Sequence, residues 1–337
     1  MIYQVKRFLF KQNFVNQFLR CVHNEISAKP LFPLKNRAVL QIVGQDAGVF
    51  LQGLITNDMR HFEEGAKSMY TMFLNIKGRV LFDTLIHKWD REDSFLIECD
   101  KNVLSQLQKH LKLYKLKRLI HMVDMSNELK VYALISNIPE DSSEVIKNVK
   151  VYKDPRLSDL GYRIISPVTV PDSQIAETID KNIVMKENED EYKYLRYKLG
   201  VGEGADDLHP GTMFPLEVNC DYLHGVSFHK GCYIGQELTA RVHHTGVVRK
   251  RIMPLKFNGK VSEKLEKDSV ISTPDNPKSN LGKLKGYVND YGLGLVRIKE
   301  AMDAKVLTVG NCSMEAVKPS WWPLEAPKDK QPMTKTE

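Results

Sequence analysis

The chain changes its punctuation after Gly246. From there VVRKRIMPLKF, LGKLKGYV, GLGLVRIK and AKVLTV are short apolar runs separated by Gly, Pro, Asn and Asp, the pattern of a small all-β barrel or sandwich. Before that point strand patterns and helix patterns alternate. One core cannot serve both halves, and a chain of 337 residues is already past the length at which single cores stop growing. Several modules are therefore expected.

The first half supplies them. RAVLQIVG (37–44) is an apolar strand closed by Gly44, and QDAGVFLQGLITNDM continues with helical apolar spacing behind Asp46. SMYTMFLN and GRVLFDTLIHKW flank a turn with Asn75 and Gly78, which predicts an antiparallel hairpin, and SFLIECD adds a third strand. NVLSQLQKHLKLYKL has leucines at helical spacing, with its lysines read as the solvated face. LIHMVDM, LKVYALI, SSEVIKNV, GYRIISP and DSQIAETIDKN then alternate strand and helix as a ferredoxin-like unit does. NEDEYKYLRYKLGVGEG predicts a helix ending near Leu199, followed by a Pro- and Gly-punctuated loop. The expected division is 30–125 plus 190–246, 126–189, and 247–318, with 319–337 a disordered tail.

Charge directs attention to the other end. The net charge is +7, but Lys6, Arg7, Lys11, Arg20 and Lys29 against Glu25 alone place +4 of it in residues 1–29, leaving +3 for the body. That distribution speaks against nucleic acid as a partner. An acid-poor segment with Phe8, Phe14, Phe18 and Leu19 among basic and amide residues reads as a mitochondrial presequence over 1–29. No apolar run approaches the eighteen or so residues a membrane-spanning helix needs. The five cysteines, Cys21, Cys99, Cys220, Cys232 and Cys312, are odd in number and scattered, so neither a disulfide framework nor a permanent one-chain metal centre is expected.

The chemistry concentrates in KGCYIGQE (230–237). Gln236 to His244 reads as a helix, so Cys232 lies just before a helix N-terminus, whose positive end favours a thiolate; Lys230 acts in the same direction. The alternative, a small buried hydrophobe, stays open, because composition fixes neither pKa nor exposure. His209, His224, His229, His243 and His244 cluster around this cysteine, yet His229 and Cys232 offer two ligands where zinc wants four, and the histidines are read as surface or packing residues. Asp83 and Glu217 sit among apolar neighbours, and a buried carboxylate must be paired or bind something. Together they could accept hydrogen bonds from an amino-pyrimidinone ring, or simply cap and pair. GxGxxG after a strand, GxxxxGK[ST] and GxSxG are all missing, which removes the usual support for nucleotide-cofactor and acyl-hydrolase chemistry.

KGCYIGQELTARVHHTGVVRKR, with RAVLQIVGQDAGVFLQGLITND, YTMFLNIKGRVLFDTLI, YLRYKLGVGEG and FPLEVNCDYLHGVSFHKGC, resembles the mitochondrial branch of the folate-binding YgfZ-type family. These are iron-sulfur cluster assembly factors related to the glycine-cleavage T-protein. The resemblance implies an α+β fold, a T-protein-like three-module ring with a ferredoxin-like unit and a C-terminal small β-barrel. It places the signature cysteine on Cys232, with Lys230, Gly231, Tyr233, Gly235, Gln236 and Glu237 completing the motif. It nominates Glu217, Asp83 and Asn75 as contacts for tetrahydrofolate.

Two departures separate this chain from T-proteins themselves: Phe82-Asp83 stands where they carry two aspartates, and Lys198 stands where they carry a pterin-contacting glutamate. The implied function is maturation of [4Fe-4S] client apoproteins such as aconitase and the lipoate-forming radical enzyme, in the mitochondrial matrix, with A-type iron-sulfur carrier proteins. One thiolate cannot hold a cubane cluster, so Cys232 would be a transient iron-sulfur ligand shared with a partner, or a redox or exchange thiol. The competing readings are a folate-dependent one-carbon (aminomethyl-type) transferase and a non-catalytic interaction module.

Overall fold

Residues 28–136, 149–180, 182–261 and 263–323 are described by a computed structural model, which begins with the strand Lys29–Pro33 (β1). Next come Arg37–Val43 (β2), the helices Ala47–Gln52 (α1) and Arg60–Glu63 (α2), and the strands Ser68–Leu74 (β3), Val80–Lys88 (β4) and Ser94–Asp100 (β5). Leu104–Lys115 (α3), His121–Asp124 (β6), Leu129–Leu134 (β7), Lys150–Lys153 (β8), Tyr162–Pro167 (β9), Asp172–Ile179 (α4) and Ile183–Met185 (β10) continue the chain. Asp190–Leu199 (α5), Gly204–Asp207 (α6) and Gln236–Thr245 (α7) precede the last segment. That segment holds Lys250–Phe257 (β11), Val270–Ile271 (β12), Gly282–Val288 (β13), Tyr291–Arg297 (β14), Ile298–Asp303 (α8), Leu307–Val309 (β15) and Cys312–Ala316 (β16).

Three sheets result, in the orders β3-β4-β5-β2-β6, β10-β1-β7-β9-β8 and β12-β13-β14-β11-β16-β15. In the first, Asn75 Oδ1 accepts the amides of Lys77 and Arg79, and Gly78 takes φ +74°, so the β3–β4 turn forms where Asn and Gly predict it. One face of this sheet packs on α1 and α3, which bury Phe50, Leu51, Leu107 and Leu111 against Leu40, Ile42, Phe73 and Ile97. Helix α5 ends at Gly200 in the left-handed conformation, φ +77°, as its glycine predicts.

The second sheet carries a correction. Lys29–Pro33, grouped by the sequence reading with the first module from residue 30, lies between β10 and β7 in the sheet of the second. Leu31 is fully buried there with Tyr132, Leu134, Ile164 and Ile175. Two strands this short find a continuous ladder only across sequence distance, and a parallel pair with β10 is open to β1 but invisible to local periodicity. The expected helix at SSEVIKNV falls almost wholly outside the described residues, as do residues 1–27 of the expected presequence and residues 324–337 of the expected tail.

The third sheet curls into a nearly closed six-stranded barrel. Its two edges meet where Ser272 and Thr308 exchange both backbone hydrogen bonds, at 3.0 and 2.9 Å, and their hydroxyls touch at 3.0 Å. Closure removes the open edge that such a sheet would otherwise expose. Gly282 and Gly294 make the curl sterically open: a Cβ on Gly282 would stand 2.2 Å from the Leu295 carbonyl oxygen, and one on Gly294 2.5 Å from a Leu255 methyl.

Candidate functional site: the Cys232 loop and the residues around it

The loop that carries Cys232 is fastened from several sides. Lys230 is buried, and its Nζ donates to the carbonyl oxygens of Gln52, Ile55 and Asn57 at 2.7, 2.7 and 2.5 Å. The Ile234 amide donates to the Gly53 carbonyl, and the Ser227 amide to that of Thr56. Gly235, at φ +78°, packs so closely on the β3–β4 turn that a Cβ there would stand 2.4 Å from the Asn75 carbonyl oxygen. The Gln236 side chain accepts from the Tyr233 amide, and Phe228 stacks flat on His243 of α7, with ring centroids 3.4 Å apart. Cys232 itself is exposed. A thiol at the open face of a loop pinned at this many points is presented in a fixed direction, which is what a shared metal ligand needs.

Lys230 does something other than the sequence expectation. Burial draws its ammonium down toward about 7, with Asp58 opposing. Three carbonyl acceptors at hydrogen-bond distance nevertheless match the three protons of an ammonium, whereas a neutral amine would set its lone pair against an oxygen. We assign the charged form. All three donors are then occupied by the 52–57 loop, so Lys230 has no proton left to give a Cys232 thiolate. Its role is to clamp two loops together.

The other nominated residues are drawn apart. Asn75 lies beneath Gly235, with its side chain committed to its own turn. Asp83 accepts the Gly204 amide on both carboxylate oxygens at 3.1 Å, capping α6; burial raises its pKa, and Arg37 and that amide work against the rise. Glu217 accepts the Phe214 amide at 3.0 Å and lines a cavity of about 280 Å³ beside Leu238, Thr239 and Val242 of α7. Glu237 is exposed, Tyr233 is buried, and Gly231 is open to solvent. Among the described residues no three His, Cys, Asp or Glu side chains converge as metal ligands.

A buried ion cluster went unnoticed in the sequence. Arg163 and Arg156 both bond the Glu203 carboxylate, Arg156 also pairs with Asp154 at 2.7 Å, Arg37 with Glu98 at 2.8 Å, and Arg196 with Asp207 at 2.7 Å. All eight side chains are nearly sealed from solvent. Burial pushes the Glu203 and Glu98 carboxyls up, but the surrounding arginines overcome it and hold Glu203 well below the usual range and Glu98 at about 2. The available signal was a charge set among apolar residues in each of three strands, Arg37 in RAVL, Glu98 in SFLIECD and Arg163 in YRIIS.

Where the three sheets' segments meet lies a groove of about 920 Å³, lined among others by Lys67, Tyr152, Asp154, Arg156, Asp221 and Trp321. It is roomy enough for a folate, but its chemistry does not fit one. The amino-pyrimidinone edge of a pterin needs an accessible carboxylate as acceptor. Asp154 is held by Arg156, and Asp221 by Arg251 through two contacts of 2.8 Å. Asp83 and Asn75 are committed elsewhere, and Glu217 opens on the other cavity. The residues nominated for tetrahydrofolate are therefore not brought together around this groove.

Residues 16–172 match the GCVT N-terminal domain, and residues 249–324 the C-terminal β-barrel domain of CAF17. The fold is that of the glycine cleavage system aminomethyltransferase T from Bartonella henselae, with a TM-score of 0.68 at 13% identity over 88% of this chain and 86% of that one. The iron-sulfur cluster assembly factor IBA57 of Mus musculus is 37% identical over 88% of this chain and 86% of its own length. That of Homo sapiens is 33% identical over 87% and 85%, and the Dictyostelium discoideum homolog is 33% identical over 79% and 72%. At these identities and coverages, the chain belongs to the family of IBA57, the mitochondrial iron-sulfur cluster assembly factors.

Proposed function

We propose that this protein is a mitochondrial iron-sulfur cluster assembly factor that lends Cys232 as one ligand to a cluster held jointly with a second protein. The exposure of Cys232 on a loop immobilised by Lys230, Gly235 and Gln236 is the observation that carries the reading. A single thiolate leaves the remaining coordination positions of a cluster to others, so the partner must bring thiolates of its own. A-type carriers, which hold clusters through cysteines, fit that requirement. The exchange is balanced: the Cys232 thiol releases its proton to solvent and forms an S–Fe bond, and one thiolate leaves that iron and takes up a proton.

The clients proposed are [4Fe-4S] apoproteins, aconitase and the lipoate-forming radical enzyme among them, in the matrix. The proposed organisation is a presequence over 1–29, a T-protein-like domain from 30–125 plus 190–246 (with β1 lent to its neighbour), a ferredoxin-like domain over 126–189, a barrel over 247–318 and a tail over 319–337, corrected at its start, where Trp322 is buried in the barrel core and Trp321 donates to the Leu199 carbonyl.

Depletion in cells should lower aconitase activity and protein lipoylation while leaving [2Fe-2S] enzymes near normal, and Cys232→Ser should fail to restore them. Full restoration by Cys232→Ser would remove the thiol from the mechanism. Unchanged aconitase on depletion would remove the function itself.

A further inference from the structure

The basic excess of the folded body is concentrated in one place. Residues 101–123 contain Lys101, Lys109, Lys112, Lys115, Lys117 and Arg118 and no acid. Among the described residues none of these six cations, five of them exposed and Lys115 half-buried, enters an ion pair. Helix α3 buries Leu107 and Leu111 as an amphipathic helix should. Leu113, Leu116 and Leu119, however, project into solvent at 68%, 86% and 65% exposure. Single exposed leucines are ordinary; three in seven residues, interleaved with three cations, are not.

Two local features show that the leucines are set outward and not merely loose. Leu116 closes α3 at φ +48°, a conformation that glycine adopts freely and a leucine only with strain, and here the strain serves no burial. Leu119 is fixed by its backbone: its amide donates to Asp46 Oδ2 at 2.7 Å, and its carbonyl stands where a Cβ on Gly44 would meet it at 2.3 Å. That contact also occupies Asp46, an acid close to the patch. Val49 of α1, three residues beyond Asp46, is 65% exposed, and Val123 on the edge strand β6 is 40% exposed.

We propose that residues 109–119 dock this protein on the surface of an anionic lipid bilayer. An acidic protein surface would answer the charges but gives no use to three leucines standing separately proud of the fold. A bilayer interface takes both: leucines enter between the headgroups while lysine stems lie along the boundary and carry their ammonium groups to lipid phosphates. No helix among the described residues is long and apolar enough to cross a membrane, so the contact is peripheral and reversible.

The test is sedimentation of the full chain with vesicles of phosphatidylcholine, with and without cardiolipin. The protein should pellet with the cardiolipin vesicles only, and raised salt should release it. Lys112→Gln/Lys115→Gln/Lys117→Gln should weaken binding about a hundredfold, at about fivefold per cation, with an unchanged thermal midpoint. Leu116→Gly separates docking from folding: relieving the backbone strain should raise the midpoint, while vesicle binding falls severalfold. Equal pelleting with neutral vesicles, undiminished binding by the lysine variant, or a wild-type dimer that becomes monomeric in Leu113→Ser/Leu119→Ser without loss of vesicle binding would each overturn the proposal. The last result would assign the patch to a second copy of the chain.

Discussion

The loop that carries Cys232 and the cluster around Glu203 are both rich in matched polar groups, and they differ in whether a reactive atom is left facing solvent. Around Glu203 almost every charge has an opposite charge within hydrogen-bond distance and little exposure to solvent. Around Cys232 the polar groups are also matched, through Lys230, Gln236 and the backbone, but the thiol they surround is left open. Strongly shifted carboxylates are often a sign of an active site. Here they mark the place where α5, α6 and the first two sheets are tied together, and the candidate chemistry lies at the cysteine for which no such matching exists. An unoccupied reactive atom on a rigid support is the better guide than a large electrostatic shift.

This comparison can be broken from the cluster side first. Arg163→Met leaves Glu203 and Glu98 short of a cation in a sealed site, and denaturant unfolding should show a loss of about 3–5 kcal/mol. A smaller loss, under about 1 kcal/mol, would mean the cluster is wetter than its burial indicates.

Acid should reveal the same dependence. The Glu98 carboxyl sits at about 2 when folded, below its unfolded value near 4.3, so its contribution is complete above about pH 4.3 and drains away as pH falls toward 2. Asp83 runs the other way. Its folded pKa is raised, so what it contributes is present below its unfolded pKa and lost as pH rises through the folded one. A stability profile that falls by about 3 kcal/mol between pH 4.3 and 2, and is flatter in Glu98→Gln, is the expected outcome.

On the loop side, Lys230→Met should cost about 2–3 kcal/mol by stranding three carbonyl oxygens. Alkylation of Cys232 should speed up or broaden as the loop loosens; a marked slowing would instead mean that Lys230 activates the thiol. The smallest effect on stability is expected for Cys232→Ser, within about 0.5 kcal/mol as for other exposed sites, paired with the complete loss of client maturation described above. A variant both unstable and inactive would merge the two regions into one structural unit.

Much of this fold was legible along the chain because its signals are local. The Asn75 and Gly78 turn, the Gly200 end of α5, helix α7 starting at Gln236 and the change of rhythm after Gly246 all follow from a residue's effect on its own few neighbours. The motif around Cys232 was legible as a motif, and the exposure of its thiol was not. The roles of Asp83, Glu217, Asn75 and Lys230 depended on partners 121, 3, 2 to 4 and 173 to 178 residues away. The nearer ones turned out to be turn and cap residues, and the distant ones joins between segments.

The sequence by itself determined the kinds of element, the family and the one cysteine set in a loop before a helix, since these rest on backbone preference and residue order. The tertiary structure alone decided that β1 belongs with the second sheet, that Lys230 faces carbonyls, that the carboxylates expected for a pterin are drawn apart, and that the leucines at the end of α3 face water. Each of those outcomes is a choice of partner across the fold, and hydrogen-bonding groups and apolar side chains carry no record in the chain of which distant neighbour will satisfy them.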